Sequence, residues 1–342
     1  MKAVRYLRKH SLEMIDTPMP APEKPEDVVL KVLGCGICGT DGHIYKGEVP
    51  VAEPPVVLGH EICGKVVAWG DRVEGLSSGD KVCIDPIIGC SRCEYCRSGR
   101  SHFCGSMTNI GFARGGGFQQ YTTVPASHVH PIPDHIDTRA AILIETLACV
   151  INGYDQLKVT SGSSVMILGA GSVGLLWSQL ISNSVKIQLL QTEVAETRRK
   201  VAEKLGADIT INPRKEKLAE VVRDTMPDGL DYIIDATGSS AAIQEALPLL
   251  RKGGTFMIFG ICPPTEKLSI IPFEIFEHEL SIISSKMLSF KMSKAIKIVQ
   301  SGLIETDVIV NRIMSLEELE DGLQWVVDDP DKSIKMMVDP WR

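Results

Sequence analysis

A chain of 342 residues exceeds what one hydrophobic core usually organises, so two domains with a cleft between them are expected. Hydrophobic residues at 44% and charged residues at 23% are the proportions of a folded globular chain, which excludes disorder as the default. A formal net charge of -7 argues against a nucleic-acid partner, because binding phosphates requires clustered Lys and Arg.

The opening segment MKAVRYLRKHSLEMIDTP lacks the apolar core of a signal peptide, and no stretch approaches a membrane span in apolar length. A cytoplasmic protein without a membrane partner is therefore expected. Eleven of the nineteen prolines precede residue 134, together with short runs such as DVVLKVLG and GKVVAWG, and this is the texture of an irregular β domain. From about Ser163, apolar strands alternate with helical stretches: SVMILG with a helix from Val173, KIQLLQTE with TRRKVAEKLG, DITIN with KEKLAEVVRDTM, LDYIIDATG with AAIQEALPLL, then GTFMIFG. Such βαβ repetition predicts an α/β fold with a doubly wound parallel sheet covered on both faces. After LSIIS near residue 284 come two helical stretches, FKMSKAIKIVQSG and SLEELEDGLQWVVDD, and a last strand, KSIKMMVD. The expected domains are therefore 1–150 with 287–342, closed by the C-terminus, and 151–286.

In a reducing compartment ten cysteines are read as metal ligands or packing groups more readily than as disulfides. Cys63, Cys83, Cys149 and Cys262 stand singly in apolar sequence and are expected to be small buried hydrophobes. The run CSRCEYCRSGRSHFC places Cys90, Cys93, Cys96 and Cys104 close together. That spacing suits a closed four-thiolate zinc site, and an iron-sulfur cluster is the competing reading.

The strand SVMIL runs into GAGSVG, where Gly169, Gly171 and Gly174 have the G-x-G-x-x-G spacing at the opening of a helix. Glycines there permit a tight turn, approach of backbone to a pyrophosphate and close helix packing. Glu193 ends the next strand about 20 residues on, where an acid can hydrogen-bond an adenosine ribose. Arg198 and Arg199 could accept a 2′-phosphate, but a carboxylate at the ribose edge repels one, so NAD is expected in preference to NADP.

Upstream, GCGICGTDGH contains Cys38, Thr40, Asp41 and His43, and GHEICGKVVAWGDRV contains His60 and Glu61. Cysteine, histidine and glutamate form a ligand set that suits zinc. Glu145 in AAILIETLACV is a carboxylate within an apolar run and needs a partner if buried. Singly, each has an ordinary alternative: a core thiol, a satisfied histidine, a helix-surface carboxylate.

Together these stretches resemble the zinc-dependent medium-chain dehydrogenases. GHEICGKVVAWGDRV fits the pattern G-H-E-x2-G-x5-G-x2-V at Gly59, His60, Glu61, Gly64, Gly70 and Val73, and GICGTDGHIY, GFARGGGFQQYTTVPASH and LIETLACVINGYDQLKV are most similar to the polyol and threonine dehydrogenase branch. The resemblance implies a Rossmann domain, a GroES-like domain and a homo-oligomer, a dimer or a tetramer. It implies that Cys38, His60, Glu61 and Glu145 are catalytic-zinc positions, that Thr40 and His43 relay the substrate proton, and that Cys90, Cys93, Cys96 and Cys104 hold a structural zinc. Val173, Glu193, Arg198, Gly260 and Ile261 match positions lining the dinucleotide. The implied activity is reversible, NAD-linked oxidation of a secondary alcohol of sugar-alcohol type to a ketone. Alternatives are a threonine-type amino-alcohol dehydrogenase, for which Arg114 is the candidate carboxylate binder, and a regulatory protein that binds zinc and nucleotide without turnover.

Two departures from the family pattern stand out. Thr146 replaces the proline that usually follows the acidic ligand, and Met287 and Leu288 stand where sorbitol-type enzymes carry an Arg-Tyr pair facing the substrate.

Overall fold

The structure, a computed structural model, describes residues 1–329 and 331–342. It divides into two compact units: Met1–Ala148 with Leu288–Gly302 and Thr306–Arg342, and Cys149–Met287 with Leu303–Glu305.

The first unit is built on an irregular, largely antiparallel sheet. Its central strand, Asp27–Ile37, is flanked by Glu61–Trp69 and Lys335–Val338, with Lys81–Ile84, Val129–Pro131, Val310–Met314 and Tyr121–Pro125 completing the sheet. Nearly every residue of DVVLKVLGCGI is buried, because its side chains enter packed layers on both faces of the sheet. Val28, Leu30, Val32, Ile62, Val66, Val82 and Leu323 share that core. Two registers matter for the chemistry: Gly36 pairs with Glu61, and Ile37 pairs with Met336. They bring the residues just beyond Ile37, the start of Glu61–Trp69 and Lys335 to one end of the sheet.

The second unit is a six-stranded parallel sheet in the order Ile209–Ile211, Gln188–Thr192, Ser164–Leu168, Leu230–Asp235, Leu250–Ile258, Ser281–Ser284. This is a doubly wound order in which the chain returns to the middle of the sheet after Ile209–Ile211, placing a ligand crevice at the carboxyl ends of the strands. The expected α/β fold class holds, with a Rossmann sheet and a separate β-rich unit.

The single cysteines divide. Cys63 and Cys83 are buried directly opposite each other across two antiparallel strands, whereas Cys149 and Cys262 are only half-buried. Cys262 lies in irregular chain beyond the end of Leu250–Ile258, and Cys149 takes a less protected angle on helix Thr138–Leu157 than its buried neighbours Ala148 and Val150. Apolar flanking sequence does not by itself bury a small side chain. Among the described residues no helix is long and apolar enough to cross a membrane.

Candidate active site and metal centres

Cys38 is the N-cap of the short helix Gly39–Tyr45, which begins where the buried strand Asp27–Ile37 ends. Asp41, three residues into the turn, is wholly buried; its Oδ2 accepts the Cys38 N–H at 3.0 Å and its Oδ1 lies 3.4 Å from Nδ1 of His60. One carboxylate thereby bonds the backbone of one candidate ligand and faces Nδ1 of the other, leaving Nε2 of His60 for a metal. Burial opposes protonation of His60, but Asp41 and Cys38 outweigh it and lift the imidazole well above its ordinary range. The pocket attracts positive charge.

The ligand atoms of Cys38, His60 and Glu61 lie within 4.8 Å of one another. Glu61, 1% exposed, is met by two donors: Thr146 Oγ1 donates to Oε1 at 2.9 Å and Lys335 Nζ donates to the same oxygen at 2.5 Å. Lys335 Nζ also lies 2.5 Å from the buried Oε2, so the ammonium bridges both oxygens. The backbone is shaped to receive this group, since a Cβ on Gly36 would stand 1.9 Å from Oε2. Lys335 keeps its charge above the ordinary lysine range although burial works against it, because Glu61 is its immediate neighbour. Glu145 is half-buried and is not part of the 4.8 Å group; its neighbour Thr146, about 100° further around the same helix, is the side chain that reaches Glu61. Thr40 Oγ1 lies 3.7 Å from Cys38 Sγ, and His43, 36% exposed, holds Glu48 Oε2 at 2.6 Å from its Nδ1. A cysteine sulfur, an imidazole facing Asp41 and a buried carboxylate form a donor set that fits zinc.

The four sulfurs of Cys90, Cys93, Cys96 and Cys104 also lie within 4.8 Å of one another. A tetrahedral ion with bonds of about 2.3 Å to sulfur holds its ligands ~3.8 Å apart, so this arrangement fits a single ion. Backbone N–H groups of Cys93, Cys96 and Ser106 donate to the sulfurs of Cys90, Cys93 and Cys104 at 3.4, 3.5 and 3.4 Å. Such donors favour thiolates: the N–H groups of Arg92 and Cys93 bring the Cys90 thiol down to about 6, while burial raises Cys96 to about 11.

Asp85 stands where the strand Lys81–Ile84 enters this lobe, 8% exposed, accepting the Ile87 N–H at 2.8 Å. Burial pushes its carboxyl up to about 6 from 3.8, a shift the Ile87 N–H only partly offsets. Because the folded pKa lies above the unfolded one, the contribution to stability is complete below 3.8 and lost as pH rises through 6. Asp85→Asn is expected to stabilise the protein at pH 8 by ~2–3 kcal/mol. Its advantage should shrink towards pH 4, as thermal denaturation of both proteins across that range would register; a pH-independent difference would refute the assignment.

In the second unit the predicted nucleotide residues share the carboxyl edge of the parallel sheet. Leu168 pairs with Thr192 and with Asp235, and Asp235 pairs with Ile258, so the turn at Gly169–Gly171, Glu193, and Gly260 with Ile261 follow adjacent strand ends. Gly169 has φ +92°, and a Cβ on Gly174 would stand 2.1 Å from the Gly169 carbonyl oxygen, so neither position accepts a side chain. At Gly171, N-cap of helix Ser172–Ser184, a Cβ would meet only Arg198, at 3.8 Å, and Val173 is half-buried in the first turn. Glu193, 8% exposed, accepts N–H groups from Ala170 and Ala195 at 3.0 and 2.9 Å, with an Arg198 nitrogen 3.9 Å away. Arg199 is turned back onto the carbonyls of Glu193 and Val194. Ile261 is 64% exposed at the strand end. Sequence reading missed Asp235, whose buried carboxylate accepts the N–H and hydroxyl of Thr237 at 2.9 and 2.5 Å and so folds the turn beside Gly260.

A Rossmann sheet with a glycine-rich first turn, together with a β unit carrying one open Cys-His-Glu group and one closed four-cysteine group, defines a zinc-dependent nucleotide-linked dehydrogenase. Residues 24–134 match the alcohol dehydrogenase GroES-like domain and residues 173–301 the zinc-binding dehydrogenase domain. D-arabinitol dehydrogenase 1 of Uromyces fabae is 30% identical over 94% of this chain and 93% of its own length. Sorbitol dehydrogenase of Bacillus subtilis is 31% identical over 95% and 93%. A zinc-binding dehydrogenase from Sinorhizobium meliloti 1021 bound to NADP superposes with TM-score 0.93 at 35% identity, covering 99% of both chains. An alcohol dehydrogenase, rspB, from Escherichia coli CFT073 complexed with NADH gives 0.92 at 28%, also covering 99% of both. The chain belongs to the zinc-dependent medium-chain dehydrogenase family, in the branch that contains the polyol and threonine dehydrogenases.

Proposed function

We propose that this protein oxidises a secondary alcohol of sugar-alcohol type to the ketone, reversibly, passing hydride to NAD and releasing one proton. The observation that carries the reading is the group of Cys38, half-buried, with the buried His60 and Glu61, all within 4.8 Å and with Asp41 beside them. When bound, zinc supplies Lewis acidity that lowers the pKa of an oxygen ligand, and the nicotinamide accepts the hydride. Cys38 and His60 would hold the metal, with Glu61 beside them in the same group and Glu145 the further carboxylate that the family resemblance implies. Thr40 takes the alcohol proton, and His43, partly exposed and paired with Glu48, hands it to solvent. The Cys90, Cys93, Cys96 and Cys104 lobe takes the second, structural zinc.

NAD is favoured over NADP because a 2′-phosphate at the end of Gln188–Thr192 would meet the Glu193 carboxylate, and because Arg199 is committed to backbone carbonyls. Glu193→Ser is expected to move the ratio of catalytic efficiencies towards NADP by about tenfold or more, the effect of relieving ~1.4 kcal/mol of repulsion. A wild type that already prefers NADP would make Arg198 the reader of the ribose. The proposal includes a homo-oligomer in the cytoplasm. Its support is an exposed apolar group, Ile271, Phe273, Phe276 and Ile282, around the edge strand Ser281–Ser284, and a monomeric mass by light scattering would remove this part.

The primary test is NADH formation by the purified protein with a panel of polyols, amino alcohols and simple alcohols. Turnover of secondary polyols is expected. Preference for a 2-amino-3-hydroxy acid would establish the threonine-type reading, with Arg114 as carboxylate binder, and cofactor binding without turnover would leave a regulatory protein.

A further inference from the structure

We propose that the cavity between the cysteine lobe and the strand Val129–Pro131 is a second binding site, which takes a short primary alkylammonium compound carrying a hydroxyl at its other end. The cavity, of about 300 Å³, lies wholly in the first unit and includes none of Cys38, His60 or Glu61. That volume is at the lower end of the range of small-molecule sites. Ile87, Phe290 and Met292 give it apolar walls, and Asp85, His128 and His130 give it polar groups.

Val129 pairs with Ile84 and His130 with Cys83, and the Asp85 N–H donates to the His128 carbonyl at 2.9 Å. Alternation along the two chains therefore turns all three polar side chains to one side. Asp85 is 8% exposed; its Oδ1 accepts the Ile87 N–H, its Oδ2 has no donor, and among the described residues no lysine or arginine pairs with it. Nδ1 of His128 is also buried without a partner. Burial holds both imidazoles below the ordinary histidine range, so each offers one donor and one acceptor without charge. Cys96 of the metal lobe aside, the carboxylate is then the one charge lining the cavity, and a buried charge calls for a counter-charge. Among the described residues these three side chains do not gather their ligand atoms within 4.8 Å, as the two metal groups do, which favours an extended molecule over a single ion. An ammonium meets Asp85 in a charge-assisted hydrogen bond, a hydroxyl meets an imidazole, and the alkyl stem lies along the apolar walls. The wall at Phe290 is itself held in place: Ser289 and Phe290 have φ 40° and 59°, and Ser289 Oγ donates to the Gly99 carbonyl of the lobe at 3.1 Å. Backbone strain of this kind is found at ligand clamps.

The probe is 4-aminobutan-1-ol, titrated calorimetrically into the zinc-loaded protein without nucleotide, with butane-1,4-diol as the neutral control of equal length. Saturable one-to-one binding of the amine is expected, at least about tenfold tighter than that of the diol. Asp85→Asn keeps the shape and the acceptor for Ile87, and should weaken the amine about tenfold or more; His128→Leu should weaken it by about threefold or more. Cys38→Ser changes only the catalytic group and should leave the affinity unaltered. Absence of saturable binding, equal affinity for amine and diol, or full affinity in both Asp85→Asn and His128→Leu overturns the proposal. Loss of binding in Cys38→Ser overturns it too, by placing the amine at the catalytic group.

Discussion

Cys38→Ser is expected to lower kcat/KM with the best alcohol by at least about a thousandfold, ~4 kcal/mol of transition-state stabilisation, and to remove one of two zincs per chain. Cys38 sits at the N-cap of Gly39–Tyr45, where the buried Asp41 grips its backbone N–H, so the substitution changes the donor atom while leaving the turn intact. A serine hydroxyl stays protonated and is a poor zinc ligand beside imidazole. Glu145→Ala should weaken the same zinc and leave the cysteine lobe loaded, whereas Cys149→Ala should alter neither metal nor rate. Elemental analysis with steady-state kinetics decides. A Cys38→Ser enzyme with two zincs and near-normal turnover would dissolve the proposed site, and dependence on Cys149 in place of Glu145 would move the ligand set to two thiolates and one imidazole.

Cys96→Ser should remove the other zinc and loosen the lobe from Cys90 to Cys104. The lobe has little apolar core of its own: its short helix, Glu94–Arg97, buries no residue, and Tyr95 and Phe103 are 45% and 47% exposed. Metal binding must therefore supply most of its order, and zinc in small peptides contributes about 10–16 kcal/mol of apparent free energy, comparable with the stability of a domain. We expect zinc to fall to one per chain and the midpoint of thermal unfolding to drop by on the order of 10 °C, with rapid proteolysis within the lobe. Iron with visible charge-transfer absorption in wild type would defeat the zinc assignment, and unchanged stability after metal loss would defeat the structural role.

The patterns legible in the sequence were local ones. The strand SVMIL followed by Gly169, Gly171 and Gly174 leads into a turn whose conformation depends on glycine, and Gly169 adopts φ +92° there. The cysteine run places four sulfurs within 4.8 Å because its spacing is short enough for one lobe to gather them. Alternation of apolar strands with helices determined the parallel sheet, since strands covered on both faces leave a signature along the chain.

Partners distant in sequence were another matter. Lys335 in KSIKMMVD carried a signal, a charge in an apolar strand, but its partner Glu61 lies 274 residues away and is brought to it by strand pairing across Asp27–Ile37. Asp41 stood in a motif without a role until the fold turned one of its oxygens to Cys38 and the other to His60. Glu145 and Thr146 are adjacent in the chain, yet a helix turns successive side chains about 100° apart, and it is Thr146 that reaches Glu61. Sequence by itself determined the fold class, the glycine-rich turn and which cysteine, histidine and glutamate side chains are candidates for a metal, because these rest on residue type and short spacing. Tertiary structure alone decided which charges neutralise one another and which side chains meet Glu61, because those depend on register between strands that meet only when the chain has folded.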